Sequence, residues 1–532
     1  MGNQLLPVPL PLKGLNTINP HVAWDSGYAR EFTNYSLYNG RPKVRPAIRS
    51  YAVSFNATLV AAGGVVWFDP ANTDYFIAAS GDIGRISTNS FSASIGGTPS
   101  YPATRCKHVS LDLVVGLREP RNAAQPFGAW SFTTLSITAT SIKTACSHKG
   151  RLYVADDSTI EYSELQAVSG TMAGSFPLAS GPVGLLEGQK ILRIFSVTVN
   201  PSVSTENVLV VFGEKGKVLV YAGDYPGSAS WQIIGNFNMP PPGNAVTFAE
   251  VDGDIFVGTE LYAYWFRELF AGGAQSAYAN SPSAPIENFW QSLLWGVTYG
   301  SHGYCFYEPV LDAIICTDTN GTTTPYGTWG KYNSGSVAFG YLVYFRKYGA
   351  WAAWIGSPLV WPVQRLTSAP TEVYGGGYNN PEIKKLTHGN VVDQYSNTST
   401  TTDFSIETSW KTPYYYGKVG TKLNGVRLFF ENTVSGYLEK LRAIFDYSDY
   451  NSSYGWYTQS TATTINPGNY VDGAADLTAN TWNQYSPFIG IGGQGGTFSL
   501  QFTQKPKSGS SATQTQNIYA AVAHIEPAGE LF

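Results

Sequence analysis

Lys149-Gly-Arg-Leu-Tyr-Val154, Lys215-Gly-Lys-Val-Leu-Val220 and Asp252-Gly-Asp-Ile-Phe-Val257 repeat one short pattern. A charged residue, a glycine and a second charged residue lead into a hydrophobic run. Glycine accepts positive φ without a steric penalty, so each copy reads as a hairpin turn feeding a buried strand. Looser copies stand at Gly81-Asp-Ile-Gly-Arg-Ile86 and Pro381-Glu-Ile-Lys-Lys-Leu386. A hairpin copied along a long chain is what a β-propeller needs, because each blade is one small sheet stacked on its neighbours. Glycines 150, 216 and 253 are 66 and 37 residues apart, against about 40–45 residues for a regular blade. The shorter gap fits one blade; the longer implies an insertion or an unrecognised blade. No Gly-His…Trp-Asp signature marks a regular array, so the expectation is an all-β chain with an irregular β-propeller of about six to eight blades.

The rest of the chain agrees with an all-β reading. Short β-branched or aromatic runs such as Asp74-Tyr-Phe-Ile-Ala-Ala79, Val208-Leu-Val-Val-Phe212 and Asp312-Ala-Ile-Ile-Cys-Thr317 are separated by turn-forming residues. Fifty-six glycines and 31 prolines supply turns and oppose long helices. One segment has helical spacing, Pro285 to Trp295, with Ser283 as a candidate cap and Phe289, Leu293 and Leu294 on one face. Near residue 395 the texture changes. Tyr395-Ser-Asn-Thr-Ser-Thr-Thr-Thr-Asp403 reads as a polar linker, and alternating strands follow at 404–412, 422–431, 437–447, 497–503 and 517–525. That pattern predicts a separate β-sandwich. The expected division is an N-terminal arm (1–50), the propeller (51–395, with an inserted tip around 270–340) and a C-terminal β-sandwich (396–532).

Of 532 residues, 43% are hydrophobic and 14% aromatic, which excludes a disordered chain. Only 13% are charged, about half the usual share. A surface so poor in strongly hydrated groups suits lasting contacts or carbohydrate; it is also the ordinary habit of secreted and viral β proteins. A net charge of −4 argues against a sequence-reading DNA binder. The basic residues Lys13, Arg41, Lys43, Arg45 and Arg49 are spread out and form no run. The opening Met-Gly-Asn-Gln-Leu-Leu-Pro7 lacks the pattern of a signal peptide, Leu6 stands where myristoylation wants Ser or Thr, and no apolar stretch has membrane-spanning length. Folding in a cytoplasm is expected. Asn-X-Ser/Thr triplets at Asn56, Asn320, Asn397 and Asn451 are chance matches in so polar a chain.

Four cysteines are too few for a disulfide framework. Glu308-Pro-Val-Leu-Asp312 reads as a hairpin turn that sets Cys305 opposite Cys316, packed as reduced thiols. The six histidines (His21, His108, His148, His302, His388, His524) have no metal spacing. No Gly-X-Ser-X-Gly elbow and no P-loop is present. A glycosidase needs two carboxylates flanking the bond, yet the acidic residues recur in no shared loop context. Asp318-Thr-Asn-Gly-Thr322 is better read as an Asn-Gly hairpin turn than as a sialidase repeat or a Ca²⁺ loop. Trp351, Trp354 and Trp361 could stack on sugar, although core packing is the commoner use of such a cluster. No catalytic, metal or cofactor-binding residue is assigned and no cofactor is expected.

Several stretches resemble one family. Pro11-Leu-Lys-Gly-Leu-Asn-Thr-Ile-Asn-Pro20, Ala29-Arg-Glu-Phe-Thr-Asn34 and Asn39-Gly-Arg-Pro-Lys-Val-Arg45 look like the opening of the tail hub, or nozzle, proteins of short-tailed bacteriophages of the P22 type. Val246–Val257, Ala284–Trp290, Tyr341–Trp351, Ile406–Trp410 and Val426–Phe430 resemble the same group, whereas 440–516 does not. Each motif is short and degenerate. The resemblance implies a propeller-containing virion subunit in a ring, a homohexamer, at the distal end of the tail. Its implied partners are further copies of itself, a tail adaptor ring, tail spikes or fibres, and duplex DNA passing through the lumen without sequence-specific binding. The expected role is structural and non-enzymatic; the alternative is a carbohydrate-binding or glycan-cleaving propeller.

Overall fold

The structure is a computed structural model. It describes residues 4–18, 27–53, 143–167, 170–178, 186–199, 206–243, 247–287, 290–291, 304–317, 339–356, 359–365, 372–376, 382–390, 392–396, 401–432, 437–445, 470–477, 480–485, 489–506 and 516–527, with short strands between 65 and 136 and at 450–451 and 456–457. Among the described residues the chain is all-β with one long helix.

Seven small sheets follow one another, each an antiparallel meander at its core. The first runs through Val65–Phe68, Tyr75–Ala79, Asp82–Ser87 and Ser90–Ser94, and the second through Thr104–His108, Leu111–Val115 and Arg121–Asn122. The third comprises Thr144–His148, Arg151–Ala155, Thr159–Tyr162 and Gly174–Pro177, and the fourth Ile191–Val199, Glu206–Gly213, Lys217–Ala222 and Gln232–Asn238. Phe248–Val251, Asp254–Gly258 and Ala263–Trp265 make the fifth. The sixth holds Tyr304–Glu308, Ala313–Thr317, Phe339–Phe345 and Ala350–Gly356. In the seventh, Val360–Arg365, Glu372–Gly376 and Glu382–Thr387 are completed by Ala47–Val53 from the other end of the chain. The first strands of the second, third and fourth sheets are neighbours, as are those of the fifth, sixth, seventh and first. This is the order of blades in an irregular β-propeller.

The glycine-led turns form as expected, but not all at one end. Lys149-Gly150 joins the first two strands of the third sheet, with φ of 45° and 74°, and Asp252-Gly253 does the same in the fifth with 50° and 72°. Positive φ at both central residues is the two-residue hairpin turn that matches strand twist. Gly216 instead sits in the turn between the second and third strands of its sheet, at the opposite end. Neither gap between the three glycines therefore measures a blade.

Helix α1 (Phe266–Ala279) takes the place of a fourth strand in the fifth sheet, packing on its last two strands and on Gln232–Asn238. Sequence reading misses it because Gly272-Gly273 looks prohibitive; the chain does break there, Gly273 lying at φ 71°. In the expected helix 285–295, Ala284–Ile286 is a 3₁₀ turn and Glu287, Trp290 and Gln291 are helical; the rest lies outside the described residues. Ser283 does not cap it, its hydroxyl accepting the Ala263 N–H at 2.9 Å.

The expected division of the chain needs correcting in three places. The first fifty residues are not a separate arm: Gln4–Val8 pairs with Gln516–Pro527, Lys43 pairs with Asn517, and Glu31–Thr33 lies between Ala350–Gly356 and Thr408–Lys411. Buried Phe32, Tyr35, Leu37 and Val44 explain why, since an arm carrying that apolar surface must bury it. The 395–403 stretch is not a plain linker, because Val392–Ser396 and Thr401–Ser405 form a hairpin. Within the expected tip, Tyr304–Thr317 forms the first two strands of the sixth sheet, while 292–303 and 318–338 lie outside the described residues.

Beyond residue 400 lies the C-terminal β-sandwich. Its two long strands, Tyr415–Asn432 and Ile489–Pro506, carry register shifts and change partners along their length. A bulge bends a strand and raises its twist, which lets one strand serve two layers.

Candidate functional site

The most elaborate site among the described residues is the junction of propeller and sandwich. Four segments distant in sequence meet there. Ala353, on the last strand of the sixth sheet, pairs in parallel with Thr33; Thr33 pairs antiparallel with Ser409; and Ser409 pairs with Thr503. The propeller's sixth sheet and the sandwich thus belong to one composite sheet of 17 strands, spliced by residues 31–33. Gly14 adds a second splice, opposite Trp351. A Cβ there would lie 2.4 Å from the Trp351 carbonyl oxygen, and φ is 72°, so only glycine permits this approach.

A buried polar hub sits beside the splice. The Arg45 guanidinium grips Asp393 with both arms, Nη1–Oδ1 at 3.0 Å and Nη2–Oδ2 at 2.5 Å, with both side chains fully buried. Its remaining hydrogens go to Asn34 Oδ1 (2.9 Å), the Pro46 carbonyl (2.8 Å) and the Ile355 carbonyl (2.6 Å). Asp393 also accepts the Ile48 N–H, at 2.8 Å. Asn34, held at φ 58°, accepts the Ile355 N–H (2.7 Å) and donates to the Glu407 carbonyl (2.7 Å). Gly356 makes room, because a Cβ there would come within 2.8 Å of Arg45 Nη2. An isolated buried charge is costly, and this saturated bidentate pairing offsets the penalty while fixing geometry.

A second buried ion pair, Lys411 to Glu31 at 3.6 Å, lies in the splice itself. Arg30 stacks 4.5 Å from the Tyr414 ring. Around these groups packs an apolar cluster. The Trp410 and Phe502 rings meet edge-on at 4.6 Å, and Trp351 contacts Trp290 (5.7 Å) and Tyr344 (5.1 Å). Trp351 and Trp354 are buried, and their indole N–H groups donate to the Pro282 and Tyr35 carbonyls at 2.6 and 2.7 Å. They are core residues and cannot stack on sugar; Trp361 is in a strand of the seventh sheet, and its side chain lies outside the described residues.

At the propeller rim, the charged turn residues reach neighbouring sheets. Lys149 Nζ donates to the Gly223 carbonyl (2.9 Å) and faces Glu206 (3.6 Å). Asp252 pairs with Arg346 at 2.6 Å, and Arg346 also holds Asp312 at 2.8 Å. His388 Nε2 meets the buried Glu308 carboxylate at 3.1 Å. Partly exposed pairs contribute little stability each, but they set how adjacent sheets meet. His148 is buried beside Ser196, Nδ1 to Oγ 2.9 Å. Burial, and secondarily the Lys149 charge, lower its pKa to about 4.

Cys305 faces Cys316 as expected. Asp318, Asn320 and Thr322 lie outside the described residues, as do His21 and His302. Among the described residues, no three His, Cys, Asp or Glu side chains gather as a metal site. Among the described residues, no helix is long and apolar enough to cross a membrane. Arg45 entered the sequence reading only as one of several scattered basic residues. The signal that could have marked the hub was Asp393 inside the strand-like run Val391-Val-Asp-Gln-Tyr395, an acid where burial is expected.

No family model matches the chain, and no curated protein matches it. Among solved structures it is similar to the WD40 domain of Neurospora crassa Pan2 (8% identity, 66% of this chain and 97% of that one, TM-score 0.39). The computationally designed Ika8 protein is another (10% identity, 64% and 99%, TM-score 0.36). A third is the extracellular domain of a hybrid two-component system from B. thetaiotaomicron (11% identity, 85% and 57%, TM-score 0.42). At such scores the fold of this chain rests on its own turns and strand pairings.

Proposed function

We propose that this chain is a structural, non-enzymatic virion subunit. In this reading it builds the distal ring, the nozzle or hub, of a short phage tail, as a homohexamer. The ring abuts an adaptor ring, carries spikes or fibres and lets duplex DNA through its lumen. One observation supports the reading above the rest. Stretches that separately resemble the tail hub family, within 29–34, 39–45 and 406–410, meet at the propeller–sandwich junction. A splice that ties two domains together is a mechanical feature, as a ring subunit under strain needs. The low charge adds to this, since few strongly hydrated groups must be stripped at subunit contacts.

Electron microscopy of the purified protein, across concentrations, tests it. Sixfold rings with a lumen wide enough for duplex DNA are expected. Monomers at every concentration, together with cleavage of host glycans, would overturn it.

A further inference from the structure

The strands Tyr304–Glu308 and Ala313–Thr317 set Cys305 directly opposite Cys316. Their sulfurs are 3.2 Å apart, both cysteines are free, and both are buried. The hairpin is the innermost of the sixth sheet. Its turn is held closed by the Glu308 carboxylate, which accepts the Leu311 N–H at 2.6 Å. On the neighbouring sheet, Gly258 leaves the space that Cys305 Sγ occupies; a Cβ there would be 3.3 Å from the sulfur.

We propose that Cys305 and Cys316 are a reversible dithiol–disulfide pair, which closes into a cross-strand bond on exposure to a small-molecule disulfide. Bonded sulfurs stand about 2.05 Å apart, so closure needs a movement of little more than an ångström along a line the strands already fix. The chemistry balances as a thiol–disulfide exchange. The Cys305 thiolate attacks one sulfur of the small disulfide, and one thiolate leaves. The Cys316 thiolate then attacks Cys305 Sγ and expels the second. Two protein thiols are oxidised, one small disulfide is reduced to two thiols, and the cysteine protons pass to the departing thiolates. Burial pushes the Cys316 thiol up and so slows its attack; in the resolving step the sulfur already in contact offsets this by proximity. A reducing cytoplasm keeps the pair open, and an oxidising medium closes it. The bond would brace the sixth sheet, which is itself part of the composite sheet. This inference stands apart from the tail reading, because it requires only the hairpin.

The test uses the full-length native protein, incubated with oxidised glutathione and analysed by intact mass. A loss of two hydrogens is expected, with no retained glutathione. Cleavage before Asp312 separates the two cysteines, so a non-reduced digest should keep their peptides joined until reductant is added. Cys305→Ser and Cys316→Ser should each abolish the loss. The oxidised wild type should melt higher than the reduced form, and neither variant should show that rise. If a variant fails to fold, the wild-type peptide map decides alone. Native protein that retains both thiols, or a bond from either cysteine to Cys106 or Cys146, overturns the proposal.

Discussion

The third sheet and the propeller–sandwich junction are built on opposite plans. Every strand of the third sheet lies between Thr144 and Pro177, and its first three strands are joined by short turns. At the junction, Asn34 bonds to Glu407, 373 residues away, and Arg45 bonds to Asp393, 348 residues away. The first region is a string of short-range decisions, each made by its own turn. The second exists only when remote segments have been brought together, and the loop-closure entropy of doing so must be met before any contact forms. Local sheets therefore rest on turns and apolar strands, whereas the junction relies on a saturated polar hub to fix which segments meet.

The largest effect should come from the hub. Arg45→Met leaves Asp393 buried without its partner and should destabilise the protein by about 3–5 kcal/mol, read from urea unfolding. Adding Asp393→Leu should recover much of that loss, because the uncompensated charge is then gone. A single-variant loss of less than about 1 kcal/mol would mean the junction is no more specified than the surface.

The local sheets have a buried titratable group of their own. His148 has a folded-state pKa of about 4 against 6.5 in the unfolded chain. Below pH 6.5 the unfolded chain takes up a proton that the folded chain refuses. Its contribution is therefore complete above pH 6.5 and lost as pH falls toward 4, by about 3 kcal/mol in all. Urea midpoints at pH 7.5, 5.5 and 4 should show this slope, and His148→Asn should flatten it.

Next in size is Trp354→Phe, which removes the donor to the Tyr35 carbonyl and opens space in the junction core. About 1–3 kcal/mol is expected, and the oxidised hairpin proposed above should not rescue it. The smallest effect belongs to the rim. Asp252→Asn weakens the pair with Arg346, whose carboxylate side is well exposed, and should cost under about 1 kcal/mol. A larger loss would make the rim ties as decisive as the hub, and the contrast between the two regions would fail.

How much was legible follows from the same contrast. The turns at Gly150 and Gly253, and the facing cysteines, were readable because a hairpin encodes its own register within a few residues. The turn at Gly216 was readable as a turn, but not as lying at the other end of its sheet. Helix α1 was hidden by its glycine pair, since burial of Phe266 and Leu269 against the fifth sheet outweighs propensity. The hub was almost invisible. Arg45 looked like one more surface cation, and Trp351 and Trp354 could be read as core or as a sugar platform until their indoles were seen to donate to buried carbonyls.

By itself, then, the sequence determined the all-β class, the hairpin turns and the pairing of Cys305 with Cys316, because period-two patterning and glycine's access to positive φ act over a few residues. Only the tertiary structure decided that residues 47–53 complete the seventh sheet, that residues 31–33 splice propeller to sandwich, and that Arg45 meets Asp393. Those choices depend on which remote edges and charges are left unsatisfied once the local sheets have formed, and no short window of the chain contains that information.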